Sequence, residues 1–365
     1  MKKILVITNH SYMLYRFRLE LIEALAENNE IVISMPFVGH EDDFAALGYR
    51  VIETEVDRRG VNPITDIKLF NNYRRLLKEE KPDFVITYSI KPNVYGGLAA
   101  RLAGVPYCAN VQGLGSAFES KLLSMLVSVM YKTAFRRAET VFFENTEDER
   151  LFVSRRIVPQ SKTTTVPGAG INLDKYQYAE YPENEKFHFL YLGRLMREKG
   201  MDELFDVVER LFSDRENFVL DLVGFFEDEY RNRIARLEAL GVVRFHGFIT
   251  DPRPYYAASD CVVMPSWHEG MSNVLLEAAA VGRPVVTTDI SGCREAVDDG
   301  ASGLLVRVKD QDDLYDKMKK MLHTDAASRK RMGEAAREKM KREFDKEKVV
   351  GLTLQSIKYR ETRNT

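Results

Sequence analysis

The chain has 365 residues, of which 45% are hydrophobic and 30% are charged, and its formal net charge at pH 7 is −2. This length exceeds that of one ordinary domain and predicts two. The balanced charge argues against a nucleic-acid-binding protein, which would carry a strong basic excess. The three cysteines lie far apart and form no C-x-x-C pair, so neither a disulfide framework nor a zinc site is expected.

The first residues show no sign of export. The apolar run at residues 4–7 ends at polar Thr8, which is too short for the core of a secretory signal. No apolar stretch reaches the ~20 residues that a membrane-spanning helix needs. We therefore expect a cytoplasmic protein, with any contact to the inner membrane surface being peripheral.

Short β-branched runs alternate with longer helical patterns along the first half of the chain. The predicted strands cover residues 3–8, 31–34, 83–87 and 140–143. The predicted helices cover residues 16–27, 67–80, 95–103 and 122–137. Alternation of this kind predicts a parallel sheet with helices on both faces.

The alternation stops at the Pro-Gly-Ala-Gly segment of residues 167–170 and resumes near residue 187. A second series of strands is predicted at residues 187–192, 218–223, 243–245, 261–264, 284–288 and 303–306. We therefore predict an α/β protein with two doubly wound, Rossmann-like domains, which face a central cleft where ligands bind. The predicted parts are domains at residues 1–173 and 187–345, a polar linker at 174–186, and a C-terminal helix at 346–365 that packs back towards the first domain.

Two acids eight residues apart form the most informative pattern. Glu269 lies in a turn that contains Gly270, and Glu277 lies about two turns into the helix that follows, so both acids can face one side. The backbone N–H groups at the start of this helix would attract phosphate. Because the neighbours of Glu277 are apolar, its carboxylate is expected to be buried and to need a partner, for which a ligand hydroxyl is suitable. These groups together fit a sugar nucleotide.

A Gly-rich loop after the first strand of the second domain supplies cations. Gly193 allows a sharp turn, and Arg194 and Lys199 would lie at the ligand-binding edge of the sheet, where a diphosphate would bind. The alternative is a solvated loop with ordinary surface charges. Gly247 and Phe248 end a later strand and would let a nucleobase approach the backbone, although a simple turn glycine is the commoner case.

Polar and basic side chains also follow the strands of the first domain. They are His10, Tyr12, Arg16, Arg18 and Lys91, together with Gln112, Gly113 and Gly115 of a second Gly-rich loop. They suit an acceptor that carries phosphate, although each one alone is as well explained as a solvated helix end. The second loop lacks the third glycine of G-x-G-x-x-G, so it is weak evidence for a dinucleotide.

Two further segments have more than one interpretation. Residues 122–131 form an apolar helical run flanked by Lys121 and Lys132, which is typical of a membrane-surface helix, although a helix buried on its own sheet is commoner. Asp310 and Asp312 form a D-x-D pattern near the start of a polar helix. We expect this pattern to cap the helix and not to bind a metal.

These patterns resemble a known family. The Gly193-Arg194-Leu195…Lys199-Gly200 loop, the Glu269-x7-Glu277 segment and Gly282-x-Pro284 together resemble the family-4 retaining glycosyltransferases of the GT-B fold, over nearly the whole chain. The segments at residues 15–18, 91–93 and 113–116 resemble a narrower group. Its members are bacterial transferases that extend undecaprenyl-diphosphate-linked sugars for capsule, exopolysaccharide or glycan assembly.

The resemblance implies a UDP-sugar donor, a lipid-linked sugar acceptor, and no metal or other cofactor. It implies that Arg194 and Lys199 hold the donor diphosphate, that Glu269 contacts the donor sugar and that Glu277 binds the ribose. The donor site would also include Gly193, Gly247, Phe248, Gly270, Met271, Ser272, Asn273 and Val274. Gln112 stands near the position where many family members carry a histidine, so a histidine-centred role in sugar contact is not expected.

The reaction implied is transfer of a hexose or N-acetylhexosamine with retention at the anomeric carbon. A UDP-sugar 2-epimerase and a glycosyltransferase with a soluble acceptor share the fold and stay open as alternatives. A sugar-binding protein without catalysis is disfavoured, because such a protein would normally carry an export signal and none is recognised in the sequence. A nicotinamide dehydrogenase is disfavoured because no G-x-G-x-x-G follows the first strand.

Overall fold

The computed structural model of the protein describes residues 1–58, 60, 62–114, 118 and 121–361. Contacts between residues divide the chain into two compact units. The first unit comprises Met1–Ala169 and Glu347–Thr365, and the second comprises Gly170–Lys346. Residues 174–186 contain no helix or strand and belong to the second unit.

The first unit is built on a seven-stranded parallel sheet in the order β3-β2-β1-β4-β5-β6-β7. The strands are β1 (Lys2–Ile7), β2 (Asn29–Met35), β3 (Arg50–Glu53), β4 (Phe84–Tyr88), β5 (Tyr107–Val111), β6 (Thr140–Phe143) and β7 (Thr163–Thr165). The helices are α1 (Ser11–Ala26), α2 (Glu41–Ala46), α3 (Pro63–Glu80), α4 (Gly97–Ala103), α5 (Lys121–Phe135) and α6 (Thr146–Ser154), with a π-helical turn at Pro92–Gly96. The strand order reverses between β1 and β4, which is where ligands bind in such sheets.

The second unit has a six-stranded parallel sheet in the order β10-β9-β8-β11-β12-β13. Its strands are β8 (Phe187–Leu192), β9 (Phe218–Val223), β10 (Val243–Gly247), β11 (Cys261–Met264), β12 (Val285–Thr288) and β13 (Gly303–Val306). Its helices are α7 (Met201–Ser213), α8 (Arg231–Ala239), α9 (Arg253–Ala258), α10 (Asn273–Val281), α11 (Gln311–His323) and α12 (Ala326–Lys339). The reversal lies between β8 and β11.

Both faces of the first sheet are covered, as expected for a parallel sheet. On one face α1 buries Leu14, Leu21 and Leu25, and the last helix, α13 (Lys346–Glu361), adds Val349 and Ile357 to the same core. On the other face α3, α4, α5 and α6 bury a separate apolar cluster. Each fully buried large aliphatic side chain contributes ~1.5–3 kcal/mol, so these faces supply much of the stability of the unit.

The structure agrees with most predicted elements and corrects others. Helix α1 begins at Ser11, five residues before the predicted start, so Tyr12 lies within it. Strands β3, β5 and β7 are not among the predicted strands. Asp310 caps α11 by accepting a hydrogen bond from the Asp313 N–H, as the sequence predicted. Among the described residues, no helix combines the length and apolarity that crossing a bilayer requires.

Candidate active site

Three glycines lie at the carboxyl ends of neighbouring strands in the second unit. Gly193 follows β8, Gly224 follows β9 and Gly247 ends β10. The Gly193 N–H donates to the Val223 carbonyl and the Gly224 N–H to the Gly247 carbonyl, both at 2.9 Å. A Cβ atom on Gly224 would lie 1.8 Å from the Gly193 carbonyl oxygen, so only glycine fits there. The three loops are therefore packed backbone to backbone at the edge of the sheet where ligands are expected.

Lys199 and Glu269 form an ion pair at this edge. The Lys199 Nζ lies 2.6 Å from Glu269 Oε1, and the Ser266 hydroxyl donates to the same oxygen at 2.9 Å. Gly200 makes this contact possible: it has φ of 73°, and a Cβ there would lie 2.1 Å from the Pro265 carbonyl oxygen. The lysine loop is thus held tightly against the segment that leads to Glu269.

Trp267 joins the same two loops. Its backbone N–H donates to the Glu198 carbonyl at 2.9 Å, and its indole N–H donates to Glu203 Oε1 at 3.1 Å. The Lys309 ammonium lies 4.1 Å from the centre of the indole ring, which is a cation–π contact. Nothing in the sequence pattern drew attention to this residue, although it is the single tryptophan of the chain.

The start of helix α10 offers two backbone donors. The Ser272 N–H donates a hydrogen bond to the Gly292 carbonyl, and the Leu275 N–H donates one to the Ser272 carbonyl. The N–H groups of Asn273 and Val274 have no acceptor within the part of the chain that the structure describes. The Met271 side chain is buried in the core. An anion at this helix start would be held by two N–H groups and by the helix dipole.

Glu277 is buried, as predicted, but its partners are protein hydroxyls. Glu277 is only 3% exposed. One of its carboxylate oxygens accepts a hydrogen bond from the Tyr176 hydroxyl at 2.7 Å, and the other accepts one from the Tyr256 hydroxyl at 2.8 Å. The acid therefore has the partners that its burial was expected to require, and two of them are tyrosine hydroxyls of its own unit. Tyr176 comes from the segment before β8 and Tyr256 comes from α9.

The remaining residues that were predicted to bind the sugar-nucleotide donor are more exposed. The Arg194 guanidinium lies 3.7 Å from Glu227, and the Arg194 carbonyl accepts from the Tyr191 hydroxyl at 2.7 Å. Phe248 is exposed, and its ring centre lies 6.3 Å from that of Phe225, which is also exposed. Phe225 was missed by the sequence analysis. Two exposed aromatic rings beside Gly247 suit a nucleobase.

In the first unit, some of the predicted acceptor residues lie at the point where the strand order reverses. His10 immediately precedes α1, and the Arg16 guanidinium donates to the Tyr12 hydroxyl at 2.5 Å. Lys91 follows β4 and forms an ion pair with Asp66 at 2.6 Å. These polar groups stand at the ends of β1 and β4.

Arg18 does not lie where an acceptor would reach it. It is buried, forms an ion pair with Glu144 and donates to the Gly168 carbonyl at 3.2 Å. Its guanidinium also lies 5.7 Å from the centre of the Tyr88 ring. A buried cation needs such partners, and here they link α1 to segments more than a hundred residues away. The geometry therefore gives Arg18 a structural position.

A residue with an unusual backbone conformation contacts the second Gly-rich loop. Ser89, directly after β4, has φ of 75°, which is uncommon for a residue other than glycine and is often found at functional sites. Its hydroxyl lies 3.3 Å from Gln112 Oε1, and the Gln112 amide nitrogen lies 3.1 Å from Met13 Sδ. Gly113 has φ of 111°, whereas Gly115 lies outside the described residues. Ser89 was not predicted as part of the site.

Comparison with known proteins identifies the family. The model of the family described as "Glycosyl transferases group 1" matches residues 186–324, and the model described as "Glycosyl transferase 4-like" matches residues 3–145. The N,N'-diacetylbacillosaminyl-diphospho-undecaprenol alpha-1,3-N-acetylgalactosaminyltransferase of Campylobacter jejuni is 31% identical over 85% of this chain and 86% of its own length. The chain belongs to the retaining family-4 glycosyltransferases.

A second curated relative and a solved structure are also similar to this glycosyltransferase. A UDP-Gal:alpha-D-GlcNAc-diphosphoundecaprenol alpha-1,3-galactosyltransferase of Escherichia coli is 28% identical over 70% of each chain. The structure of Anabaena HepE in complex with UDP and glucose superposes with a TM-score of 0.81 at 17% identity, covering 98% of this chain and 100% of that one. The likeness to HepE shows that the glycosyltransferase has the GT-B fold predicted from its sequence.

Proposed function

We propose that this glycosyltransferase moves a hexose or N-acetylhexosamine from a UDP-sugar to a hydroxyl of a lipid-diphosphate-linked sugar, in the assembly of a bacterial surface polysaccharide or glycan. The names of the Campylobacter and Escherichia relatives support both the donor and the acceptor class. The observation that carries the proposal is the position of Lys199 beside Glu269, next to a helix start that can bind an anion.

In this proposal the donor binds at the carboxyl edge of the second sheet. Lys199, Arg194 and the N–H groups of Asn273 and Val274 hold the diphosphate. Glu269 accepts hydrogen bonds from the sugar hydroxyls, and the exposed Phe225–Phe248 pair contacts the uracil. Two tyrosine hydroxyls hold the orientation of the buried Glu277 carboxylate, which in this proposal accepts a further hydrogen bond from the ribose.

The transfer step separates charge and is served by these groups. The bond between the anomeric carbon and the β-phosphate oxygen breaks, and its electron pair stays on UDP. The acceptor hydroxyl oxygen forms the new bond on the same face of the sugar, and its proton passes to a β-phosphate oxygen. Lys199 and the helix start stabilise the negative charge that develops on the leaving UDP. Because the protein supplies these positive groups, no divalent metal takes part in the proposal.

Cys293 lies near this edge but does not supply a thiolate nucleophile. Cys293 follows Gly292, whose carbonyl holds the Ser272 N–H, and its thiol is fully buried. Burial raises the pKa of the Cys293 thiol, so the group stays protonated and unreactive. Cys293 is therefore not a covalent nucleophile, and the step proposed is direct transfer assisted by the donor phosphate.

The acceptor is proposed to bind at the reversal point of the first sheet. His10, Tyr12, Arg16, Lys91 and Gln112 supply cationic and hydrogen-bonding groups there, and Ser89 joins them through Gln112. Cations at this position suit the diphosphate or the sugars of a lipid-linked acceptor. An enzyme acting on such an acceptor works at a membrane surface, so peripheral membrane contact is part of the proposal.

The proposal is tested with a screen of UDP-sugars in which released UDP is measured with and without a short-chain polyprenyl-diphosphate-linked sugar. We expect one UDP-sugar to give acceptor-dependent UDP release and an extended lipid-linked product. Lys199→Ala is the inactive variant and Lys186→Ala, at an exposed position of the same unit, is its control. Release of UDP together with a free epimerised sugar, at the same rate without acceptor, would instead identify an epimerase.

A further inference from the structure

Three helices of the first unit present a common surface to solvent. Helices α3, α4 and α5 pack side by side on one face of the sheet. The Arg101 guanidinium of α4 donates to the Thr133 carbonyl of α5 at 2.6 Å, which fixes these two helices to each other. The solvent-facing side of α3, α4 and α5 is called the outer face below.

The outer face exposes large apolar side chains. They are Ile64 and Ile67 of α3, Leu102 of α4, and Met125, Leu126 and Val129 of α5. Between 57% and 65% of each residue is exposed. A single exposed apolar residue is common on protein surfaces, but six on three neighbouring helices are not. In α3 these residues lie in the first half of the helix, and in α5 they lie around its middle. Clustering of this kind marks an interaction surface.

Beyond Ile67, helix α3 exposes cations that have no carboxylate partner among the described residues. Lys68, Arg74, Arg75 and Lys78 are exposed, and within the described ranges no acid lies at ion-pair distance from any of them. Elsewhere in the molecule comparable cations are paired, as Arg233 is with Asp206 and Glu209. Glu79 is an exposed acid on this part of α3, so cations prevail four to one.

Helix α5 repeats the pattern. Beyond its exposed apolar residues it carries Lys132, and Arg136 and Arg137 follow at its end. All three side chains are exposed and none has a carboxylate partner in the part of the chain that the structure describes. In both helices, therefore, exposed cations without a carboxylate partner among the described residues follow the exposed apolar residues.

An open groove of ≈ 730 Å³ lies between α3 and α4, within the outer face. Its lining includes Arg74, Arg75, Lys78 and Lys81 and contains no acidic residue, while Leu77 and Leu102 supply apolar surface. Four cations around a partly apolar groove match a group that has a negatively charged head and an aliphatic part. Anionic phospholipids have this composition.

We propose that the outer face docks on an anionic phospholipid bilayer. Its apolar residues enter the interface between headgroups and acyl chains, and its cations bind lipid phosphates. The net charge of the whole chain is −2, so the excess of unpaired cations on one face would orient the protein on a negative surface. The physiological meaning of docking rests on the proposed lipid-linked acceptor, but the docking itself is a separate property.

The test measures co-flotation of the full chain with vesicles of phosphatidylcholine alone and of phosphatidylcholine mixed with phosphatidylglycerol. We expect binding to the mixed vesicles only, weakened by added salt because screening reduces attraction between charges. Arg74→Glu with Arg75→Glu should weaken this binding by at least about tenfold, since each cation near the surface contributes. Met125→Ser with Leu126→Ser should weaken it without changing the salt dependence.

The control is Lys320→Glu with Arg331→Glu, which makes the same change of charge at exposed positions of the second unit and should bind like the wild type. All variants should keep the wild-type Tm. With a water-soluble short-chain acceptor their kcat/KM should be unchanged, and with an acceptor embedded in mixed vesicles only the outer-face variants should lose activity.

The proposal is overturned if the wild type does not float with mixed vesicles, or if the outer-face and control variants lose binding equally. Retention of an oligonucleotide by the outer face, without vesicle binding, would assign it to another polyanion and also overturn the proposal. Vesicle binding by a protein that transfers no sugar in the UDP-sugar screen would leave docking standing while refuting the proposed function.

Discussion

The ammonium of Lys199 lies 2.6 Å from the carboxylate of Glu269, although seventy residues separate them in the chain. Both side chains are largely shielded from water, with 16% and 14% of their surfaces exposed. An ion pair in such surroundings orients the lysine without neutralising the neighbouring helix start, because Asn273 and Val274 still present their N–H groups. The pair thus sets the direction from which a diphosphate would approach.

Removing the lysine should disable transfer without unfolding the protein. Lys199→Ala is expected to lower kcat/KM for the UDP-sugar by about 10²–10³, by analogy with the loss of one preorganised donor to a developing negative charge. Steady-state kinetics with the identified donor measures this loss, with Tm as the check on folding. A variant that keeps wild-type kcat/KM would show that Lys199 does not hold the diphosphate.

The single tryptophan should report donor binding. Trp267 joins the loop of Glu198 to the loop of Glu269, so a diphosphate bound between them changes the surroundings of its indole ring. Titration with UDP is expected to change the intrinsic fluorescence in a saturable manner. The same titration of Lys199→Ala should require much more UDP, whereas the exposed-site variant Lys186→Ala should match the wild type. Fluorescence that stays constant at saturating UDP would contradict the placement.

The two tyrosine hydroxyls should stabilise the fold through Glu277. Tyr256→Phe removes one hydrogen bond to a buried carboxylate and is expected to lower the free energy of unfolding by about 1.5–3 kcal/mol. Urea denaturation of the variant and the wild type measures the difference. Tyr315→Phe, which alters a hydroxyl bonded to Asp214 near the surface, is the control and should cost less. Equal stability of Tyr256→Phe and wild type would show that Glu277 needs no such partner.

Asp221 should make stability depend on acid pH. Burial raises the pKa of its carboxyl, but hydrogen bonds from His188 at 2.9 Å and His246 at 2.7 Å outweigh burial and hold the pKa below its ordinary value. A carboxyl with a lowered pKa in the folded state stabilises the protein above its unfolded pKa of about 3.9, and the contribution disappears as pH falls through the folded value. The Tm difference between wild type and Asp221→Asn should therefore be largest near neutral pH and shrink below about pH 4. A difference that stays constant down to low pH would contradict this assignment.

Chelation should not stop the reaction. Because Lys199, Arg194 and the start of α10 supply the positive groups in the proposed mechanism, transfer should continue at its initial rate after dialysis against EDTA. The rate is measured before and after dialysis, and again after Mg²⁺ is restored. A rate that falls on chelation and returns with Mg²⁺ would show that a metal carries part of the diphosphate charge.

Local patterns predicted most strands that are apolar on both faces, because such strands read as continuous β-branched runs. The exception is the buried strand β5 (Tyr107–Val111), which lacks such a run and carries Asn110. Strands β3 and β7 escaped prediction because they lie at or near the edge of the sheet and carry charged or polar residues, as in Arg50–Glu53 and Thr163–Thr165. An edge strand buries less surface and needs fewer apolar side chains. Its sequence is therefore hard to distinguish from a loop.

The spacing of Glu269 and Glu277 placed one acid before α10 and the other inside it, which local periodicity can establish. Their partners were not predictable in the same way. The hydroxyl that contacts one oxygen of Glu277 comes from Tyr176, 101 residues away, and Arg18 binds Glu144 across 126 residues. Contacts of this kind depend on how the elements pack, and local sequence patterns do not reveal them. For this reason the sequence analysis placed Arg18 among the acceptor-binding residues, whereas the structure buries it in an ion pair.

The pyrophosphate of an activated sugar is proposed to bind between Lys199 and the start of α10, and a crystal structure of the protein with UDP is the decisive measurement. We predict diphosphate oxygens within hydrogen-bond distance of the Lys199 ammonium and of the Asn273 and Val274 N–H groups, with the uracil beside Phe248. A nucleotide bound elsewhere in the molecule, with the Lys199–Glu269 edge empty, would refute this placement of the donor.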